Sequence, residues 1–316
     1  MTTPAWLDRT AYPWTGRRLR VRDAVVHVVD EGDGPPILML HGNPTWSFEW
    51  RDVLRDLSRD FRCVAMDLPG FGLSSADDTF GGAPADHARA VADVVAALDL
   101  RGCTLLAHDW GVPIGLAALT GAHRPDGPDR LAGLAVANSW AWPVGDDRHF
   151  TSFSRAMGGP VGRLAARRAN LVVRAMLPRG HRRRRLAPGE VRQYLAPLDT
   201  AARREATSRF AAEIVRSAGF LADVASILPG LAATPALLLW ADRDIAFRET
   251  ELRRWRDELP HAEVVRLPGV GHYVPSDAPD DVAQAVRTWH GRAVRSVGAR
   301  VRRAEAGAPD EAGAPQ

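Results

Sequence analysis

The sequence predicts an α/β fold: a mostly parallel central sheet, helices on both faces, and a helical cap insertion. Three observations predict it. Short apolar runs alternate with segments of helical period over residues 36–138, and again over 234–296. Between Pro143 and Gly230 the pattern turns helical, Arg-rich and strand-poor. The stretch "CTLLAHDWGVPIG", residues 103–115, reads as a buried strand, a tight turn and a small-residue helix. The expected organisation is core over 1–142, cap over 143–230, core over 231–302, and a disordered tail over 303–316. A cap inserted there would sit over the C-terminal edge of the sheet, where open α/β sheets bind ligands.

The elements follow in order. Residues 17–30 alternate polar and apolar, which suggests a hairpin. "PILMLH" is a buried strand, followed by the loop "GNPTWS". Trp50, Val53, Leu54 and Leu57 mark a helix over 47–60. "FRCVAMDLPGFGLS" gives another strand and a Gly-rich turn. Val91, Val94, Val95 and Leu98 mark the next helix. After residues 103–109 the helix over 110–120 carries Pro113 in its first turn, where proline is tolerated. Residues 131–138, 234–242 and 262–269 are further strands, and a last helix covers about 279–296. The tail is rich in Ala, Gly, Pro and acid, a composition that buries little.

Composition narrows the class. With 316 residues, 46% hydrophobic and 25% charged, the chain is an ordinary globular protein with length for a large core. It has no apolar run of about 18 residues, so no membrane span is expected. Its first residues lack the layout of a signal peptide. The two cysteines, Cys63 and Cys103, fall in predicted buried strands, so a disulfide framework is not expected and a reducing, cytoplasmic setting is favoured. The formal charge is +3, and every basic residue among the 41 Lys+Arg is arginine. The cluster "RGHRRRR", residues 179–185, reads as a solvated surface segment. No aromatic stacking motif accompanies it, and no nucleic-acid partner is expected.

Asp109 occupies the tight turn, with Ala107 and Gly111 two positions to either side. A sharp strand-to-helix elbow needs small residues there, because larger ones would collide with neighbouring backbone. The serine form of this elbow is the nucleophile motif of α/β-hydrolases, and a carboxylate in the same place is also a competent nucleophile. The alternative is that Asp109 only caps the helix, a role aspartate fills well. Two further residues weigh against that alternative. Asp244 lies just past one strand and His272 just past the next, so the chain order is nucleophile, acid, histidine. His272 read alone is an ordinary loop histidine. Asp242 competes with Asp244; the latter is preferred because it lies beyond the strand end. The backbone N–H groups of Asn43 and Trp110 are placed to form an oxyanion hole. His41, Pro44 and Asp67 read as structural, and His108 as a residue packed beside the elbow.

Taken together, "HGNPTWSFEWR", "DLPGFGLS", "AHDWG", "NSWAWP", "WADRDIAF" and "GHYVPSDAP" resemble the haloalkane dehalogenases of the α/β-hydrolase superfamily. The resemblance runs from about residue 13 to 296. It implies that Asp109 displaces halide from carbon, leaving an alkyl ester that water, activated by His272 and Asp244, then hydrolyses. It implies that the Trp110 indole N–H holds the leaving halide. The second donor in one subfamily is a cap tryptophan, and no Trp lies between Trp142 and Trp240; in the others it is the HGNP asparagine, here Asn43. One subfamily carries its acid as a glutamate where this chain reads "NSWAWP", so Asp244 is the better match. The implied reaction gives a primary alcohol and halide, and needs a halogenated alkane, water and no cofactor or metal. Val112 replaces a frequent glycine after "DWG", Ala241 a common glycine, and Pro275 and Ser276 a polar-acidic pair.

Rival readings make different demands. Epoxide hydrolases use two cap tyrosines, and only Tyr194 falls in the cap. Fluoroacetate dehalogenases carry an arginine after the nucleophile, where Trp110 stands. An esterase needs Ser or Cys at the elbow. A non-catalytic binding protein of the same fold has no use for the full set of three residues. Oligomeric state, including a homo-oligomer, is left open by the sequence.

Overall fold

A strand covered on both faces must be apolar on both, and the middle of the sheet follows that rule. The computed structural model describes residues 4–120 and 130–306. The strands are β1 (Arg17–Val21), β2 (Ala24–Glu31), β3 (Pro36–Leu40), β4 (Arg62–Met66), β5 (Ser75–Ala76), β6 (Cys103–His108), β7 (Leu131–Ala137), β8 (Ala236–Ala241) and β9 (Glu263–Leu267). Their spatial order is β1-β2-β4-β3-β6-β7-β8-β9, with β5 on β2. The first two pairings, β1 with β2 and β2 with β4, are antiparallel; from β4 to β9 every pairing is parallel. Every residue of β6 and of β8 is buried. The edge strand β1 instead shows Arg17, Arg18 and Arg20, charges that discourage pairing with another chain.

The helices are α1 (Arg51–Leu57), α2 (Pro84–Ala97), α3 (Gly111–Leu119), α4 (Arg148–Gly158), α5 (Pro160–Ala169), α6 (Leu171–Gly180), α7 (Pro188–Leu195), α8 (Ala201–Arg216), α9 (Ala218–Ile227), α10 (Glu249–Glu258), α11 (Val274–Asp277) and α12 (Pro279–Ala306). Alternate strand residues feed two separate cores. Leu38, Leu40 and Leu105 pack with Val91 and Val94 of α2 and Ile114 of α3. Ile37, Met39 and Leu106 pack with Val53 of α1 and Val282 and Val286 of α12. Helices α4 to α9 lie between β7 and β8 in the chain, and residues of α4, α6 and α8 wall the site at the strand ends. Among the described residues, no single helix is long and apolar enough to cross a membrane.

Three expectations need correction. The helix read over 47–60 begins as a 3-10 turn, Ser47–Trp50, because Asp67 Oδ1 takes the Ser47 N–H at 2.8 Å and pins the first turn. The helix α12 continues to Ala306, four residues into the segment expected to be tail; Ala, Arg and Glu there are strong helix formers. The rest of that tail, 307–316, lies outside the described residues.

The third correction concerns the basic run 179–185, which is not simply solvated. The N–H groups of Arg182 and Arg183 donate to Asp277 Oδ2 and that of Arg184 to Oδ1, all at 3.0 Å. Gly271 N–H adds a fourth bond at 2.8 Å. Burial opposes a charge on Asp277, yet these four donors hold its carboxyl below the usual carboxylate range. Arg184 also spans Glu190, at 2.8 and 2.9 Å, and the Ser276 carbonyl, at 2.7 Å. One carboxylate therefore ties the cap to the residue before His272.

Candidate active site

The site begins with a strained backbone. Asp109 has φ +50°, in the left-handed region that non-glycine residues rarely occupy. The turn is tight enough that a Cβ on Gly111 would stand 2.4 Å from the Leu40 carbonyl oxygen. A Cβ on Gly42 would stand 2.3 Å from the Asp109 Cβ. The Ser139 hydroxyl donates to the Asp109 carbonyl at 2.6 Å, and Asp109 N–H donates to the Asn138 carbonyl at 3.1 Å. Helix α3 starts directly after, so the positive end of its dipole lies at the turn. Val112 is fully buried in the core beneath. The Asp109 side chain accepts the Asn43 backbone N–H at Oδ1, 2.9 Å away.

His272 and Asp244 meet beside it. The His272 Nδ1 lies 3.1 and 3.2 Å from the two Asp244 oxygens. Asp244 Oδ2 also accepts the Asn138 amide at 2.7 Å, and Oδ1 the Ala246 N–H at 2.6 Å. Burial alone would raise the Asp244 pKa; the His272 charge and hydrogen bond, with the N–H groups of Ala246 and Phe247, outweigh it and hold the carboxyl below its usual range. Burial would likewise lower His272. The Asp244 charge and hydrogen bond, then the charges of Asp109 and Glu49, push it up to about 9. Asp242, by contrast, is exposed, and its carboxyl accepts the Gly269 N–H at 2.7 Å.

Asn43, Asp109, Trp110 and His272 line one cavity of about 130 Å³. The remaining wall is mostly apolar: Trp140 and Phe247 from the core, and Phe150, Phe153, Val172, Met176 and Ile214 from the cap. Trp110 is wedged edge-on against Trp140 and Phe210, with ring centres at 4.7 and 5.6 Å. Its indole N–H makes no hydrogen bond among the described residues. The Asn43 amide donates one hydrogen to the Thr207 carbonyl of α8 at 3.0 Å, which leaves its second hydrogen uncommitted. A wider groove of about 350 Å³, lined by Arg203, Arg209 and Asp77, lies elsewhere and holds none of these groups.

Residues 35–279 match the profile of the alpha/beta hydrolase fold family. Haloalkane dehalogenase 2 of Mycobacterium tuberculosis (strain ATCC 25618 / H37Rv) is 36% identical over 281 residues, spanning 88% of this chain and 96% of that one. The chain belongs to the haloalkane dehalogenases of the α/β-hydrolase superfamily. A cis-3-alkyl-4-alkyloxetan-2-one decarboxylase of Xanthomonas campestris pv. campestris is 32% identical, over 88% of this chain and 96% of that one. The crystal structure of haloalkane dehalogenase DatA from Agrobacterium tumefaciens C58 matches with a TM-score of 0.77 and 26% identity, covering 88% of this chain and 96% of that one.

The site also contains residues that its motifs do not point to. Asn138 has φ +41° at the end of β7 and fixes Asp244 through its amide. A buried polar residue at a strand end was the available signal. The carboxyl of Glu49 lies 3.3 Å from His108 Nδ1, with both side chains fully buried. The His108 ring is 4.8 Å from that of His272. His41 and Asp67 are structural: His41 Nε2 accepts the Leu68 N–H at 2.9 Å, and Asp67 accepts N–H groups from Ser47 and Leu73, each at 2.8 Å.

A pH dependence of stability follows. His272 titrates above its ordinary 6.5, at about 9, so its ion pair contributes fully below pH 6.5 and is lost as pH rises through about 9. The melting temperature of the parent should therefore fall between pH 6.5 and 9, and that of Asp244→Asn should fall much less. Thermal denaturation of both proteins across this window checks it. Parallel curves would contradict the pairing.

Proposed function

We propose that this chain hydrolyses haloalkanes to alcohol, halide and a proton through an alkyl ester on Asp109. Its family membership places it among hydrolases acting on carbon–halide bonds. The observation that carries the finer reading is the set of groups around the cavity. A carboxylate at the elbow faces an apolar pocket together with an uncommitted indole N–H and an uncommitted amide N–H. Donors of that kind stabilise a departing halide best where water is excluded.

In the first step an Asp109 oxygen bonds to the halogen-bearing carbon as the carbon–halogen bond breaks, and halide leaves between Trp110 and Asn43. Alkylation also cancels the Asp109 charge, one of those that raise His272. The His272 pKa then falls, which frees its ring to act as base. In the second step His272 takes a proton from water, and the water oxygen adds to the ester carbonyl. The Asn43 N–H, already 2.9 Å from Asp109 Oδ1, is placed to hold the oxyanion. Collapse releases the alcohol and restores the carboxylate, with one proton passed to solvent. The later-strand acid combined with Asn43 resembles the subfamily that uses the HGNP asparagine.

The rivals fit less well. Of the tyrosines, only Tyr273 lines the cavity; Tyr194 is buried with its ring edge-on to Phe48 at 5.2 Å. The two-tyrosine epoxide arrangement is therefore not built here among the described residues. The decarboxylase relatives raise oxetanones as a second substrate class. The small cavity, about 130 Å³, favours a short alkyl chain instead.

The test is halide release from 1-bromobutane and 1,2-dibromoethane, run beside styrene oxide and a cis-3,4-dialkyloxetan-2-one. Bromide should appear with the parent and vanish with a folded Asp109→Ala protein. Turnover of only the epoxide or the oxetanone would overturn the reading, as would bromide release by Asp109→Ala. A second measurement addresses the donors. Asn43→Ala should cut turnover by roughly 10²–10³ and weaken the quenching of tryptophan fluorescence by bromide. A lower melting temperature with unchanged bromide affinity would reduce Asn43 to a loop brace.

A further inference from the structure

The mechanism leaves one fully buried acid unused. Glu49 sits in the 3-10 turn Ser47–Trp50, with no exposed side-chain surface. It does not line the substrate cavity. Its Oε2 accepts the Thr45 hydroxyl at 2.6 Å, and its Oε1 faces His108 Nδ1 at 3.3 Å. His108, also fully buried, is the residue before the nucleophile, and its Nε2 has no hydrogen-bond partner among the described residues. Its ring lies at 4.8 Å from the His272 ring, tilted by 58°. An acid kept out of water beside a ring that touches the triad histidine is costly unless something offsets it.

We propose that Glu49, acting through His108, is a positioning residue for the second half-reaction: a second carboxylate behind His272 that holds its imidazolium once water has given up a proton. The inference rests on the dehalogenase reading. Its physical content is a division between steps. The attack of Asp109 on carbon needs no proton transfer, so it does not draw on Glu49. Hydrolysis of the ester creates a positive charge on His272 while Asp109 is neutral. At that moment Asp244 and Glu49 are the two carboxylates that act on the ring, since the Asp109 charge has been removed. The groups facing His272 are Asp244 past β8, Asp109 at the elbow, His108 on β6, Glu49 behind it, and Tyr273 beside it. Beyond Glu49 stand His41 and Tyr194, both within reach of its charge, and the Arg51 charge acts on Tyr194 from the same side.

The test uses Glu49→Gln, which keeps the shape and an acceptor for His108. Rapid mixing with 1-bromobutane should give a near-stoichiometric first burst of bromide at the parent rate. Steady turnover should drop roughly tenfold, a part of the 10²–10⁴ a general base contributes. Mass spectrometry should find the Asp109 ester accumulating in the variant. The rise of kcat with pH should move to lower pH. Independently of any substrate, NMR titration of His272 should also move to lower pH in Glu49→Gln; this arm stands even if the parent releases no bromide, an outcome that would sink only the dehalogenase reading. If Glu49→Gln does not fold, the double variant Glu49→Leu/His108→Phe replaces the pair by apolar bulk, an exchange that buried pairs often tolerate. It should show the same intact burst and slow turnover. Unchanged turnover and titration would overturn the proposal, and so would equal losses in burst and turnover, the mark of a merely structural brace.

Discussion

The site depends on one constraint: the backbone must turn sharply at Asp109 between β6 and α3. The cost of φ +50° at an aspartate is met by its surroundings. Gly111 lets the helix start against the Leu40 carbonyl, Gly42 lets the next loop approach the side chain, and Ser139 bonds the Asp109 carbonyl. That turn sets the carboxylate under the Asn43 N–H and at the positive end of α3. It also places Trp110 directly behind the carboxylate, in the wall of the cavity. A serine in this position would need a base to activate it. The carboxylate needs none, so the histidine is left free for a later task.

The charges around His272 give that task its order. Three carboxylates bear on a ring that burial alone would keep neutral. One of them is the group that becomes an ester. The proposed chemistry therefore changes the protonation of its own base: the ring is held charged while Asp109 is free, and its proton is loosened once Asp109 is alkylated. The cap takes part through main-chain contacts. Thr207 orients the Asn43 amide, and the N–H groups of Arg182 to Arg184 clasp Asp277 beside the His272 loop. Cap position and site geometry are thereby coupled.

Much of this was readable in the chain. The order of strands and helices follows from apolar runs and helical period, and the elbow from small residues around Asp109. Asp244 and His272 were readable because each follows a strand, and the structure brings their side chains together. Other features left no such trace. Glu49 sits in a segment of helical period, where a glutamate ordinarily marks a solvent face. Asn138 stands where an acid, not an amide, is the expected group. The run 179–185 looked like surface because its side chains are charged, but its main-chain N–H groups bind Asp277, and a sequence does not display those. The cap residues lining the cavity, such as Phe150, Val172 and Ile214, are apolar helix residues like their neighbours. Only the angle at which each helix docks decides which of them face inward.

The central claim is that Asp109, and not water, forms the new bond to carbon. Oxygen labelling tests it most directly. A single turnover of 1-bromobutane with excess enzyme in ¹⁸O-water should give butanol carrying ordinary oxygen, with the heavy isotope found in the Asp109 carboxylate by peptide mass spectrometry. Butanol carrying the heavy isotope after one turnover, with Asp109 unlabelled, would mean direct attack by water and would contradict the account.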